Sequence, residues 1–444
     1  MKYLIRTGML PYDNFSISKV LQYDLTWSNI GNMLFPASVI KSLMLDESVE
    51  FVPLRGQLKD IAQKHEATCE ANIFPFANAF REGTDSSQYI ALVKNSSKPS
   101  IIIGIGFQGT LNESLNKKFP FDADAKDLVS SVLEKSVSIG VRGKTTKQYL
   151  CDNLGFPEDR VDVIGCPSLF LPGPNFSGIR STENVESFAL TLDTKISKTG
   201  LKFFESISRL YKIGFFAQST PESRQIYAPS PISHVRDYHE VFPTENMVSF
   251  VNIPSWLSFL REYNFAFSNK VHGTIAALLA GTPAVCLADD SRLLELCQHH
   301  KIPYVLPDEI NDLTLSSLIA KADYTEFYSV YKSNFENYVK FMNKNGLKTI
   351  WDNGGTGEGC AYDKKMSSIK FEGPVTSIYQ QEPREIVARL HDLMKQREKN
   401  ATNIGSKNRS LKIARLMLDA DEPADKVKAY TEISDEGLKK LLDI

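Results

Sequence analysis

A protein of two α/β domains, each a doubly wound parallel sheet, followed by a helical C-terminal extension, is what the sequence predicts. Three observations lead there. With 444 residues the chain is too long for one ordinary core and suits two domains of roughly 150 to 200 residues each. Short apolar strands alternate with helical patterns over residues 1–310. Between the two sets, residues 171–183 read LPGPNFSGIRSTE, where Pro, Gly, Ser and Asn displace apolar side chains and leave little to bury.

Taken in order, the N-terminal domain spans 1–172, a linker 173–184, the second domain 185–310 and a helical region 311–444, part of which is expected to pack back on the N-terminal domain. A helix is expected near MLFPASVIKSLM, then strands in PSIIIGIGFQGT, SVSIGV and VDVIG. The second set of strands lies in SFALTLD, KIGFFAQ, MVSFV, NFAFSN and PAVCLADD, each separated by a helix or turn. From about Asp308 the helices lengthen and carry Lys, Asn and Glu, interrupted by the glycine-rich WDNGGTGEGC. Residues 385–444 read as helical, charged and appended.

A composition of 42% hydrophobic and 23% charged residues is that of a globular protein, and a net charge of -2 gives no general attraction for nucleic acid. Any anionic ligand must therefore be held by local cations. The six cysteines have no paired spacing, which fits reduced thiols in the cytoplasm rather than a disulfide framework. The start has no signal-peptide core, and no apolar run approaches the ~20 residues that span a bilayer, so membrane contact is expected to be peripheral, at the inner face.

The most informative stretch is SNKVHGTIAALLAGTP, residues 268–283. A buried strand leads into a helix whose Ala276, Ala277 and Ala280 allow close packing, with Gly281 as a left-handed cap and Pro283 as a stop. Lys270 and His272 then sit at the carboxyl end of a parallel strand and the start of a helix. Open α/β sheets bind ligands in that crevice, and helix N-H groups there favour anions. Spacing alone leaves open the alternative of a solvated lysine and a plain helix-capping histidine.

The block NKVHGTIAALLAGTPAV, followed by DDSRLLELCQHHKIPYV, is similar to the distal motif of the polysaccharide pyruvyl transferases. SNIGNMLF resembles the family's amino-terminal Asn-x-Gly-Asp element and VRGKTT its central Arg motif. These matches run in the right order over residues 28–305. The chain departs from the pattern at three positions. Lys270 replaces the usual Arg, Asn32 the usual Asp, and Cys166 stands where Asp is common. Lys lacks the planar fork of Arg, so bidentate gripping is not expected at 270.

The resemblance implies a GT-B-like arrangement with a deep interdomain cleft. It also implies transfer of the enolpyruvyl unit of phosphoenolpyruvate onto two hydroxyls of one sugar, giving a cyclic ketal and phosphate without metal or cofactor. The acceptor would be a polysaccharide precursor, in one form linked to polyprenyl diphosphate. Arg142, Lys270 and His272 are the catalytic candidates, His272 as general acid or base. Donor binding is assigned to these three with Val271, Gly273, Arg292, Gly106 and Asn29. Gly106 belongs to the turn Gly104, Gly106, Gly109, which reads first as a structural lining of the cleft. Acceptor binding is assigned to Tyr227, His234, Arg236, Asp237 and His239, a polar and aromatic set after the strand KIGFFAQ.

Other signals are read as structural. Asp122-x-Asp124 reads as surface charge. Cys297 in CQHH reads as core and its two histidines as exposed, with too few partners for a metal. WDNGGTGEGC reads equally as a lid or a loose joint. Two alternatives remain: a GT-B glycosyltransferase using a nucleotide sugar, and a degenerate family member that binds glycan without catalysis.

Overall fold

A computed structural model describes residues 1–176, 178–192, 203, 205, 207–228, 247–395, 414, 415, 417, 418 and 423–431. Two sheets organise residues 1–380, which form one compact unit. In the first, β1 (Lys2–Ile5), β2 (Glu50–Pro53), β3 (Ala71–Pro75) and β4 (Ser100–Ile103) pair in parallel in the order β2-β1-β3-β4. Backbone bonds from Ile105 to Gly140 and from Arg142 to Ile105 extend it to β5 (Ile139–Val141), which pairs with β6 (Val161–Val163). The direction of winding therefore reverses between β1 and β3.

The second sheet contains β7 (Ser187–Thr191), β8 (Lys212–Phe216), β9 (Met247–Ser249), β10 (Phe265–Ser268), β11 (Ala284–Leu287), β12 (Tyr304–Val305) and β13 (Val375–Thr376). Their order is β12-β11-β10-β7-β8-β9-β13, and only β13 runs antiparallel. Winding reverses between β7 and β10. In doubly wound sheets such reversals open a crevice at the carboxyl ends of the strands.

Helices connect the strands: α1 (Ile17–Gln22), α2 (Leu34–Leu43), α3 (Leu58–His65), α4 (Ser87–Asn95), α5 (Asp122–Leu133) and α6 (Lys144–Gln148) in the first half. The second half has α7 (Thr220–Tyr227), α8 (Ile253–Arg261), α9 (Val271–Leu279) and α10 (Ser291–His300). Strands β3, β4, β7, β10 and β11 are buried at every residue, as expected when helices cover both faces. The predicted helix at MLFPASVIKSLM is α2; Pro36 falls in its first turn, where a missing N-H costs least. The architecture is thus the predicted α/β one, with two doubly wound sheets.

Beyond α11 (Leu315–Ala320), the long α12 (Thr325–Lys344) returns to the first half. Tyr331 Oη donates to Leu169 O at 3.0 Å and Gly173 O at 2.7 Å, and Tyr338 Oη to Ser42 Oγ at 3.1 Å. WDNGGTGEGC is neither lid nor loose joint, because Trp351 is buried and its Nε1 donates to Ser42 Oγ at 2.9 Å. A short α13 (Ala361–Ser367) follows, tied to α2 by Lys41 and Asp363 at 2.9 Å. Residues 381–444 are a separate unit, described by helices α14 (383–395) and α15 (Ala424–Thr431), with Val427 packed on Ala414.

Candidate active site

A cavity of about 830 Å³ lies at the carboxyl ends of both sheets. Arg6 enters it after β1, Phe76 to Ala79 after β3, Arg142 after β5, Asn269 and Lys270 after β10, and Asp289 and Asp290 after β11. Parallel strands place these residues together although up to 284 positions, from Arg6 to Asp290, separate them, since each strand end points the same way. Of the residues singled out from sequence, Asn29, Asn32, Arg142, Lys270, His272 and Arg292 line this cavity.

Arg142 is the most constrained of them. It is fully buried, its Nε donates to Gly104 O at 2.9 Å, and its guanidinium carbon lies 5.2 Å from the Phe35 ring centroid. Neither Nη1 nor Nη2 has a hydrogen-bond partner among the described residues. Burial lowers its pKa, yet an arginine remains a cation in proteins. Two unsatisfied cationic donors at the wall of a cavity have the chemistry to pair with an anion. Gly106 does not line the cavity; a Cβ there would come within 2.9 Å of Arg142 Cδ, so its lack of a side chain makes room for the arginine. That corrects the expectation of a direct donor contact at Gly106.

His272 opens α9, whose first turn has no side-chain cap. Only 6% of it is exposed. Its Nε2 lies 3.8 Å from Cys166 Sγ, and on the Nδ1 side Gly31 approaches so closely that a Cβ would lie 2.7 Å from Nδ1. Burial first, then Arg142 and Arg292, hold its pKa well below the usual histidine value. The imidazole is therefore neutral at neutral pH and can accept a proton. Val271 is buried in the same turn and does not line the cavity, and the Gly273 N-H donates to Lys270 O at 2.8 Å. Neither is placed for the donor contact expected of it.

Arg292 and Asp290 stand at the start of α10. Asp290 caps the helix by accepting from Leu293 N at 2.8 Å and pairs with Arg292 Nη2 at 3.1 Å, while Arg292 Nε has no partner. The same helix joins the two sheets. Gly109 N donates to Ser291 Oγ at 2.8 Å, Gln108 Nε2 to Asp290 Oδ2 at 3.2 Å, and Thr146 N to Glu295 Oε1 at 2.6 Å. Glu295, which reaches from α10 to the start of α6, is pushed up to about 7 by burial, against the lowering effect of Thr146 and Arg142. His300 is buried, and its Nε2 accepts from Cys166 N at 2.8 Å, so the reading of two exposed histidines is wrong for it. Cys297 is in the core as expected. Asp122 and Asp124 hold loops: Asp122 accepts from Phe119 N at 2.9 Å and Tyr149 Oη at 2.7 Å, and Asp124 from Ser86 N at 3.2 Å.

Among the acceptor candidates, His234, Arg236, Asp237 and His239 lie outside the described residues. Tyr227 is buried at the end of α7 and does not line the cavity. Sequence reading missed Arg6, Trp27, Asn78, Arg81 and Tyr89 on the first-sheet side and Asn269 and Asp289 on the second, all of which line the cavity. Arg6 carried no signal of its own, because the four residues before it become a strand only through their neighbours in the sheet.

The contact between Cys166 and His272 gives a test that needs no substrate. Cys166→Asp would put a carboxylate beside Nε2, and an opposite charge within about 4–6 Å raises a histidine pKa by roughly 1–3 units. In a proton NMR titration, His272 should titrate well below the ordinary histidine value in the wild type, higher in Cys166→Asp, and unmoved in Cys166→Ser. Because the folded pKa is depressed, the stability His272 contributes is present above its unfolded value of 6.5 and is lost as pH falls through the folded value.

No curated protein matches the sequence. Among solved structures, the Anabaena protein HepE in complex with UDP and glucose has 10% identity and a TM-score of 0.41, covering 78% of this chain and 98% of its own. UDP-GlcNAc 2-epimerase from Neisseria meningitidis bound to UDP-GlcNAc has 12% identity and a TM-score of 0.40, covering 78% and 100%. Scores this low carry neither topology nor ligand to this chain. The family described as polysaccharide pyruvyl transferase matches residues 74–291, a span that includes Arg142, Lys270 and His272 and excludes Asn29, Asn32 and Arg292. Residues 74–291, which contribute Arg142, Lys270 and His272 to the cation-lined cavity, are thus similar to the polysaccharide pyruvyl transferase family.

Proposed function

We propose that the protein transfers the pyruvyl unit of phosphoenolpyruvate to two hydroxyls of one sugar, forming a cyclic ketal and releasing phosphate. The acceptor is a polysaccharide precursor, carried on a lipid at the inner face of the membrane. The observation that carries this reading is Arg142, a fully buried cation with two unpartnered nitrogens on a cavity shared with Lys270 and Arg292. Burying an unpaired charge costs several kcal/mol in rough terms, and a dianionic or trianionic ligand offsets that cost. Among the described residues, five cations line the cavity, Arg6, Arg81, Arg142, Lys270 and Arg292, against three carboxylates, Asp85, Asp289 and Asp290. The excess of positive charge suits a donor bearing both phosphate and carboxylate.

In this scheme Arg142 and Arg292 hold the phosphate, and Lys270 with the start of α9 holds the carboxylate. His272, neutral in the free protein, accepts the proton of an attacking hydroxyl. The hydroxyl oxygen bonds to the enol carbon as the methylene takes up a proton from water, and His272 returns its own proton to solvent. Cleavage of the carbon–oxygen bond to phosphate then lets the second hydroxyl close the ring, its proton leaving with phosphate. No cofactor enters.

The test is phosphate release from phosphoenolpyruvate with a panel of galactosyl, glucosyl and mannosyl acceptors. Acceptor-dependent release supports the reading. Release with none of them, together with binding of a nucleotide sugar, would sink it in favour of glycosyl transfer.

A further inference from the structure

The cavity is longer than its anion centre. Arg142 follows β5, whereas Arg6 and Phe76 follow β1 and β3, three and two strands away. At about 4.8 Å per strand, Arg6 lies roughly 14 Å along the row of strand ends from Arg142. Phosphoenolpyruvate does not span that interval. A volume of about 830 Å³ leaves room for a second, larger ligand at the first-sheet end.

That end is built around an arginine and aromatic rings. The Arg6 guanidinium carbon lies 4.6 Å from the ring centroids of both Trp27 and Phe76, and 5.6 Å from Tyr89. Arg6 Nη1 donates to Pro75 O at 3.1 Å, so the cation is fixed and in turn fixes the indole. Trp27 itself is half-buried and lines the cavity.

The loop that presents Trp27 is held in an unfavourable backbone. Asp24, Trp27 and Ser28 have φ of 48°, 49° and 65°, the left-handed region that non-glycine residues enter at a cost. Such strain persists only where surroundings over-determine it. Asn32 Nδ2 donates to Thr26 O at 3.0 Å and Trp27 O at 3.1 Å, Asp24 accepts from Ser28 N at 2.7 Å, and Trp27 N donates to Asp24 O at 2.9 Å. From the second half, Thr220 Oγ1 bonds Thr26 Oγ1 at 2.9 Å and Thr220 N donates to Ser28 O at 3.1 Å. Both halves thus hold one indole at the cavity wall.

From this geometry we propose that Trp27 is the platform on which the acceptor's pyranose ring stacks its C-H face, with Arg6 as the positioning residue that orients the indole. The proposal rests on the pyruvyl-transfer reading for the identity of the acceptor. It assigns acceptor recognition to the first sheet.

The experiment pairs kinetics with binding. In Trp27→Ala the acceptor KM should rise roughly ten- to a hundredfold while the phosphoenolpyruvate KM stays within about twofold. Trp27→Phe should recover part of the loss, and Arg6→Lys should raise the acceptor KM without a matching fall in kcat. Of the three tryptophans, Trp256 and Trp351 are buried, so emission changes on adding methyl galactosides, glucosides or mannosides report on Trp27 and should vanish in Trp27→Phe. Phosphate release with an acceptor KM that Trp27→Ala leaves unmoved overturns the platform. No emission change with any sugar does so too. An emission change without phosphate release upholds the platform and sinks pyruvyl transfer instead.

Discussion

Arg142→Met should abolish acceptor-dependent phosphate release and at the same time leave the protein as stable as the wild type or more so. Loss of one preorganised donor to a developing anion costs about 10²–10³ in rate, and Arg142 offers two unpartnered nitrogens, so a fall of roughly 10³ or more in kcat/KM is expected. Among the described residues, its only side-chain hydrogen bond is the one from Nε to Gly104 O. Against that single bond stand two buried donors left unsatisfied, each worth about 1–3 kcal/mol of destabilisation. Methionine matches much of the length and removes the charge. Thermal unfolding measured beside activity separates the roles. A large loss of stability in Arg142→Met would mean that the arginine holds the fold rather than the donor. Arg142→Lys keeps a charge without the fork and should recover little activity.

His272→Gln should lower kcat by about 10²–10⁴, the range for loss of a positioned general acid or base. The pH profile of the wild type identifies which it is. Burial, Arg142 and Arg292 keep the imidazole of the free protein well below its ordinary value. The acid limb of kcat/KM, which reports the free protein, should therefore lie well below pH 6.5. An anionic donor on Arg142 and Arg292 screens both cations, and the acid limb of kcat, which reports the complex, should move to higher pH. A base loses activity as pH falls through these values. Activity that instead falls as pH rises through them would make His272 the acid and reverse the proton path.

Local pattern carried much of this protein. The stretch from Phe265 to Leu279 was legible because a buried strand, a helix of small residues and a Gly-x-Pro exit are short-range features with their own periodicity. Arg142, at the junction of a strand and a helix, was legible for the same reason. Strands β1 to β3 were not, since four or five residues become strand only through their neighbours in the sheet. The glycine-rich WDNGGTGEGC was ambiguous because Trp351 finds its partner, Ser42, 309 positions away.

The sequence by itself determined the alternation of strands and helices, the address at the end of β10, and the two residues Lys270 and His272 placed there. Only the tertiary structure decided what those residues face. Burial beside two arginines makes His272 neutral, and the clearance at Gly106 admits the Arg142 side chain. The strained loop brings Trp27 against Arg6, and Glu295 and His300 close the seam between the sheets. The physical reason is the same in each case. Dielectric, clearance and charge pairing depend on groups that approach across the parallel strand ends, and no local periodicity records which distant residues meet there.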